Sequence, residues 1–152
     1  MKPFIVMILS CLLLAGCNTK PEQIGKCPQP RFTGQAPEAL YSKTNPLSGT
    51  ATQVREGREL YQHSVADGRI ACARCHGRDG DGVGPMSHMF EPPPRNFTCA
   101  QTINGVPDGQ LFWIIQNGSP GTSMPGFDSL SEEQIWQVVL YIRQLANGKF
   151  DS

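Results

Sequence analysis

Residues 72–76 read Cys-Ala-Arg-Cys-His, and the rest of the chain is best understood outward from them. Two thiols three residues apart lie on one side of a helical turn. Each can add to one vinyl group of a porphyrin, and the residue that follows brings an imidazole beneath the ring to reach iron. The pattern is therefore a c-type haem attachment signature. Two other chemistries share a CxxC. A zinc half-site wants a second close Cys/His pair, and none follows. A redox dithiol wants a βαβ frame, which the flanks do not provide.

Downstream lie GRDGDGVGP (77–85) and MFEPPPRNF (89–97), too rich in glycine and proline to be strands of a sheet core. Helical periodicity occurs in three places. The first runs over residues 52–65, with Thr52 as a cap and Val54, Gly57, Leu60 and Tyr61 on one face. Gly57 costs about 1 kcal/mol there against alanine, which points to an element packed at close range; solvent exposure is the plainer alternative. The second runs from Asp108 to Asn117, with Gly118 placed to stop it. The third is the clearest. Ser131 and Gln134 form a capping box, Leu130 and Ile135 a hydrophobic staple, and Ile135, Val138, Val139, Ile142 and Leu145 a wide apolar stripe up to Ala146, before Gly148. Three modest helices and long loops make a thin core, so a mostly α domain of this kind needs something else at its centre.

The chain has 152 residues and a formal net charge of zero, with 17% charged residues. This composition fits neither a disordered polyelectrolyte nor a broad basic nucleic-acid face. Lys2 precedes an apolar run over residues 4–15, the length of a signal h-region rather than a permanent span. It ends in Leu14-Ala15-Gly16-Cys17, which resembles the lipobox of bacterial lipoproteins. That implies removal of residues 1–16 and acylation of Cys17; an ordinary secretory signal or an uncleaved anchor are the alternatives. Two or more acyl chains would anchor the protein stably to a membrane. Residues 17–51, with prolines at 21, 28, 30, 37 and 46, read as an arm without regular elements. Phe32, Leu40 and Tyr41 imply that part of the arm packs onto the domain at 52–150. In an oxidising compartment Cys27 and Cys99 are a candidate pair. They would close a loop of about 70 residues, worth about 4 kcal/mol on the chain-entropy account. Free thiols or an intermolecular bond remain open.

Four stretches in order carry a family resemblance: GRELY (57–61), CARCHGRDGDGVGP (72–85), TSMPGF (122–127) and LSEEQIWQVVLYIRQL (130–145). Together they resemble a class I monohaem c-type cytochrome of the bacterial lipoprotein type. The resemblance implies a small cytochrome c fold, with N- and C-terminal helices crossing around one covalent haem c. It implies that Gly57 and Tyr61 meet the face carrying Trp136, Leu140 or Tyr141. It implies that the Pro85 carbonyl orients the His76 ring, and that the MP position supplies the second axial ligand. Residues 62–71 are longer than the family pattern, so their path is left open.

The residues themselves also favour Met124 as that ligand. Pro125 biases it toward extended backbone, and it lies far enough from His76 for a separate flap to reach the opposite ring face. Met86 and Met89 are expected to pack within their loop. His63, His88 and a Cys99 thiolate are weaker alternatives. Trp113 could donate to a haem propionate and Arg95 could pair with one; core packing and a solvated charge are their ordinary readings.

An iron closed on both sides by imidazole and thioether carries single electrons and is not an enzyme centre. Expected partners are redox proteins or a membrane respiratory or dehydrogenase complex. The expected location is the bacterial envelope, facing the periplasm, with Asn18 pointing weakly to the outer membrane. A haem enzyme or ligand sensor with displaceable Met124, and a fixed subunit of a larger redox complex, are the other readings. Residues 17–78 carry nine basic and five acidic groups, against three and eight in residues 79–152. If Arg69, Arg74 and Arg78 lie around an exposed haem edge, they would steer docking to an acidic partner.

Overall fold

The computed structural model describes residues 24–30, 32–63 and 70–148. The signal segment 1–16 and Cys17 lie outside them, as do Arg69 and most of the stretch whose path was left open. Among the described residues six α-helices follow in order: α1 (Glu38–Tyr41), α2 (Ala51–Gln62), α3 (Ala73–His76), α4 (Ala100–Ile103), α5 (Asp108–Asn117) and α6 (Glu132–Ala146), with a 3-10 turn at Ser87–Met89. There is no strand among the described residues. The described residues are mostly α, as the resemblance implied.

The frame is the crossing of α2 and α6. A Cβ on Gly57 would lie 2.0 Å from the Gln137 carbonyl oxygen. Only glycine lets the two backbones come so close, and that contact repays its helical cost. The point of nearest approach on α6 is thus Gln137, one residue past Trp136. Tyr61 is fully buried and meets Tyr141 edge-on, with ring centroids 5.2 Å apart. Trp136 instead turns to α5 and packs on Phe112 at 4.4 Å. Leu140 faces Gly49, before α2 begins.

α2 starts earlier than expected. Its cap is Thr50, in a reciprocal box with Gln53. The chemistry favours that choice: Gln53 can accept from the Thr50 N–H, whereas Arg55, three after Thr52, has only donors. α5 and α6 occupy the expected spans, and α6 carries the Ser131–Gln134 box.

Arg143 holds α5 to α6, and the arm is held separately. The Arg143 guanidinium donates to Asp108 Oδ1 at 2.7 Å, to the Ile103 carbonyl at 2.7 Å and to the Val106 carbonyl. One side chain on α6 thereby ties down the start of α5 and the turn before it. The arm wraps over the domain, and it does contain a regular element. After Pro37, which suits a helix start, residues 38–41 make a single helical turn beside α5. Leu40 packs against the core, while Phe32 is 84% exposed.

Candidate haem site

α3 is one turn long, and the next loop satisfies each of its carbonyls in turn. Gly77 N donates to Ala73 O, Met86 N to Arg74 O, Gly84 N to Cys75 O and Gly82 N to His76 O, at 3.0, 2.9, 3.2 and 2.8 Å. A helix end buried among protein needs such partners. The glycines of 77–84 let the loop fold back tightly enough to supply them. A Cβ on Gly84 would come within 2.5 Å of the Arg74 oxygen. Tyr61 closes the arrangement by donating its hydroxyl to the Gly77 carbonyl at 2.9 Å. Burial holds the Tyr61 hydroxyl well above its usual range, with the neighbouring Cys72 adding to it.

Within α3, Cys75 N and His76 N both donate to Cys72 O, at 3.1 and 2.9 Å. This tight turn carries the two partly buried cysteines, and neither is in a disulfide. Cys27 and Cys99 are joined in a disulfide. Burial pushes the Cys72 thiol up to about 12, and burial also raises Cys75 despite the opposing charge of Arg74. A dithiol built for disulfide exchange would have one thiol lowered. Among the described residues no three His, Cys, Asp or Glu side chains gather as a metal cluster.

His76 is 8% exposed. Its ring stacks on Phe97, with centroids 4.4 Å apart and planes at 18°. Its Nδ1 lies 2.9 Å from the carbonyl oxygen of Arg95. A carbonyl only accepts, so Nδ1 carries the proton and Nε2 presents its lone pair. The family resemblance implied Pro85 for this role. Here Pro85 is an exposed loop residue, and the segment 94–97 lies against the imidazole instead, fastened by Phe97 N donating to Gly80 O at 2.6 Å.

Met124 is half-buried and packs against the core. The chain leaves α5 at Gly118, and a short loop brings Met124 back beside it. Ser119 N donates to Met124 O at 3.2 Å, and Met124 N to Thr122 Oγ1 at 3.2 Å. Thr122 Oγ1 in turn donates to Ser119 O at 2.8 Å. Trp113, half-buried on α5, lies toward Gly34 of the arm. Arg95 reaches the Gln29 carbonyl with its guanidinium. Met86 is half-buried, but Met89 is 63% exposed and does not fill its loop as expected. His88 is exposed, and His63 stands at the surface 3.3 Å from Glu59. Arg74 and Arg78 are exposed beside the attachment turn.

The donor set suits a haem c: two neutral, partly buried thiols on one turn, then a buried imidazole in a fixed tautomer. A sequence model of the family described as cytochrome c matches residues 54–146. The chain belongs to the cytochrome c family. It is similar to cytochrome c55X of Stutzerimonas stutzeri, 29% identical over 90 residues, covering 59% of this chain and 67% of that one. Its fold is also similar to a chain of the reducing HAO-like protein complex of Kuenenia stuttgartiensis. There the TM-score is 0.55 at 26% identity, over 66% of this chain and 46% of the other. This cytochrome thus spans less than half the length of that neighbour. Family membership implies covalently bound haem c and electron transfer.

Phe97, Gln29 and the Arg143–Asp108 pair were not legible as parts of this arrangement. Phe97 follows a proline run that reads only as a loop. Gln29 sits between two prolines, with no periodicity to mark it as buried.

Proposed function

We propose that this protein is a class I, monohaem c-type cytochrome of the lipoprotein type, passing single electrons between redox proteins in the bacterial envelope. The carrying observation is the pair of free thiols at Cys72 and Cys75, on the turn that delivers the buried His76. When bound, haem c supplies a one-electron couple at iron. Cys72 and Cys75 would hold it by adding S–H across its two vinyl groups, sulfur to one carbon and hydrogen to the other. His76 would give its Nε2 lone pair, with Nδ1–H committed to a backbone carbonyl. Met124 would give its thioether sulfur, a soft ligand that favours ferrous iron. With His76 and Met124 both engaged by iron, substrate would have no place on the metal, and the protein would be a carrier rather than an enzyme. Trp113 and Arg95 are proposed to border the haem propionates. Acylated Cys17 would tether the domain to a membrane, facing the periplasm, with the outer membrane favoured.

The test is the absorption spectrum of the oxidised protein with a haem-to-protein ratio. One haem per chain and a weak band at the red end of the visible range are expected, and Met124→Ala abolishes the band. Survival of the band in that variant removes Met124 from the ligand set.

The likeness to a chain of a redox complex favours a second reading, an electron-transfer subunit held in a larger assembly. Gentle solubilisation separates the two readings: a subunit co-purifies with its complex and a free carrier does not.

A further inference from the structure

Gln29 is buried on a segment whose neighbours, Lys26, Cys27, Pro28 and Pro30, are all exposed. Its side-chain oxygen accepts from Asn96 N at 2.7 Å, and its side-chain nitrogen donates to Pro94 O at 3.3 Å. One amide thus pairs with the backbone on either side of Arg95, as a peptide group would in a strand ladder. Its own carbonyl accepts from the Arg95 guanidinium, and its N–H donates to Thr102 Oγ1 at 3.0 Å. The splint is fastened nearby. Cys27 is joined to Cys99, and Asn96 Nδ2 donates to Gly25 O at 2.8 Å.

The residue bracketed in this way is the one whose carbonyl lies 2.9 Å from His76 Nδ1. Water could satisfy Pro94 O and Asn96 N equally well, but water would not fix the direction of the carbonyl between them. We infer that Gln29 is a positioning residue for the His76 imidazole, holding the Arg95 carbonyl in line with Nδ1–H. The role rests on the proposed ligation of iron by His76. A firm hydrogen bond at Nδ1 fixes the ring and strengthens Nε2 as a donor, which favours ferric iron. Loosening it exposes the proton and raises the reduction potential.

The experiment uses the ferrous, diamagnetic holoprotein and follows exchange of the His76 Nδ1 proton by NMR, with the reduction potential measured alongside. Gln29→Met removes both side-chain hydrogen bonds at similar volume. The expected result is proton exchange about tenfold faster, by analogy with lost outer-shell partners of metal ligands. The potential shifts upward, and the amides of α6 keep their wild-type rates. A merely structural role would move neither the imidazole proton nor the potential while sparing α6. If Gln29→Met does not fold, Thr102→Val, which releases the Gln29 backbone N–H and a weak contact with Cys99 Sγ but keeps both Gln29 side-chain hydrogen bonds, decides through the same two readouts in the same directions. Unchanged exchange and potential in a folded variant overturn the positioning role alone. Absence of an imidazole-ligated haem in the wild-type protein overturns it together with the proposed ligation.

Discussion

The stretch 77–97, which lies against His76, and the loop 118–127, which carries Met124, draw their order from different places. The first takes hydrogen bonds from α3 and then from the arm, through Gln29 and Gly25, more than sixty residues away in sequence. The second closes on itself: Ser119, Thr122 and Met124 bond to one another, and Phe127 N donates to Ile115 O at 2.9 Å, at the end of the preceding helix. An imidazole set by distant chain thus contrasts with a methionine set by local turn chemistry. Residues 25–29 of the arm therefore belong to the imidazole side, while Gly34 lies beside Pro120 of the methionine loop, so loosening the disulfide end should disturb the first side more than the second.

The severest way to break this contrast is to open the disulfide. Cys27→Ser with Cys99→Ser should cost about 4 kcal/mol in denaturant unfolding. His76 Nδ1–H exchange should quicken while the thioether–iron band of the native spectrum persists. Loss of that band would show the two sides to be coupled.

Tyr61→Phe comes next, because it leaves the Gly77 carbonyl buried without its donor. A loss of about 1–2 kcal/mol is expected at neutral pH. The sign of the pH effect follows from the raised Tyr61 hydroxyl. Its contribution is complete below the ordinary tyrosine value of about 10 and is lost as pH rises from there toward the folded value. The wild-type protein should therefore weaken more steeply above about pH 10 than Tyr61→Phe does. Equal slopes in alkaline unfolding titrations would count against that burial.

The mildest change sharpens the other side. Thr122→Val removes the hydroxyl that Met124 N and Ser119 O share, at about 1 kcal/mol. It should shift or weaken the thioether band and leave His76 Nδ1–H exchange as it was.

Part of this molecule was written locally. The attachment turn, the span of α5 and the capped, striped α6 depend on neighbours within a few residues, so periodicity, caps and a stop glycine were enough to place them. The Thr50–Gln53 box was equally local, but Thr52 offered a competing start, and only the reciprocal bond chemistry separates the two. Compartment and count reduced the disulfide to one candidate pair, and the fold brings Cys27 and Cys99 together.

What the amino-acid order determined by itself was which residues have the chemistry: two thiols, an imidazole, a methionine before proline, and a glycine where helices can cross. Which backbone carbonyl meets His76, which residue of α6 lies under Gly57, and which carbonyls Arg143 gathers were decided only in the folded chain. Every residue but proline offers the same N–H, and every residue the same carbonyl, so pattern cannot tell one partner from another. The choice falls to whichever loop the packing of α2, α6 and the arm lays within 3 Å, a property of the whole fold and of no single stretch.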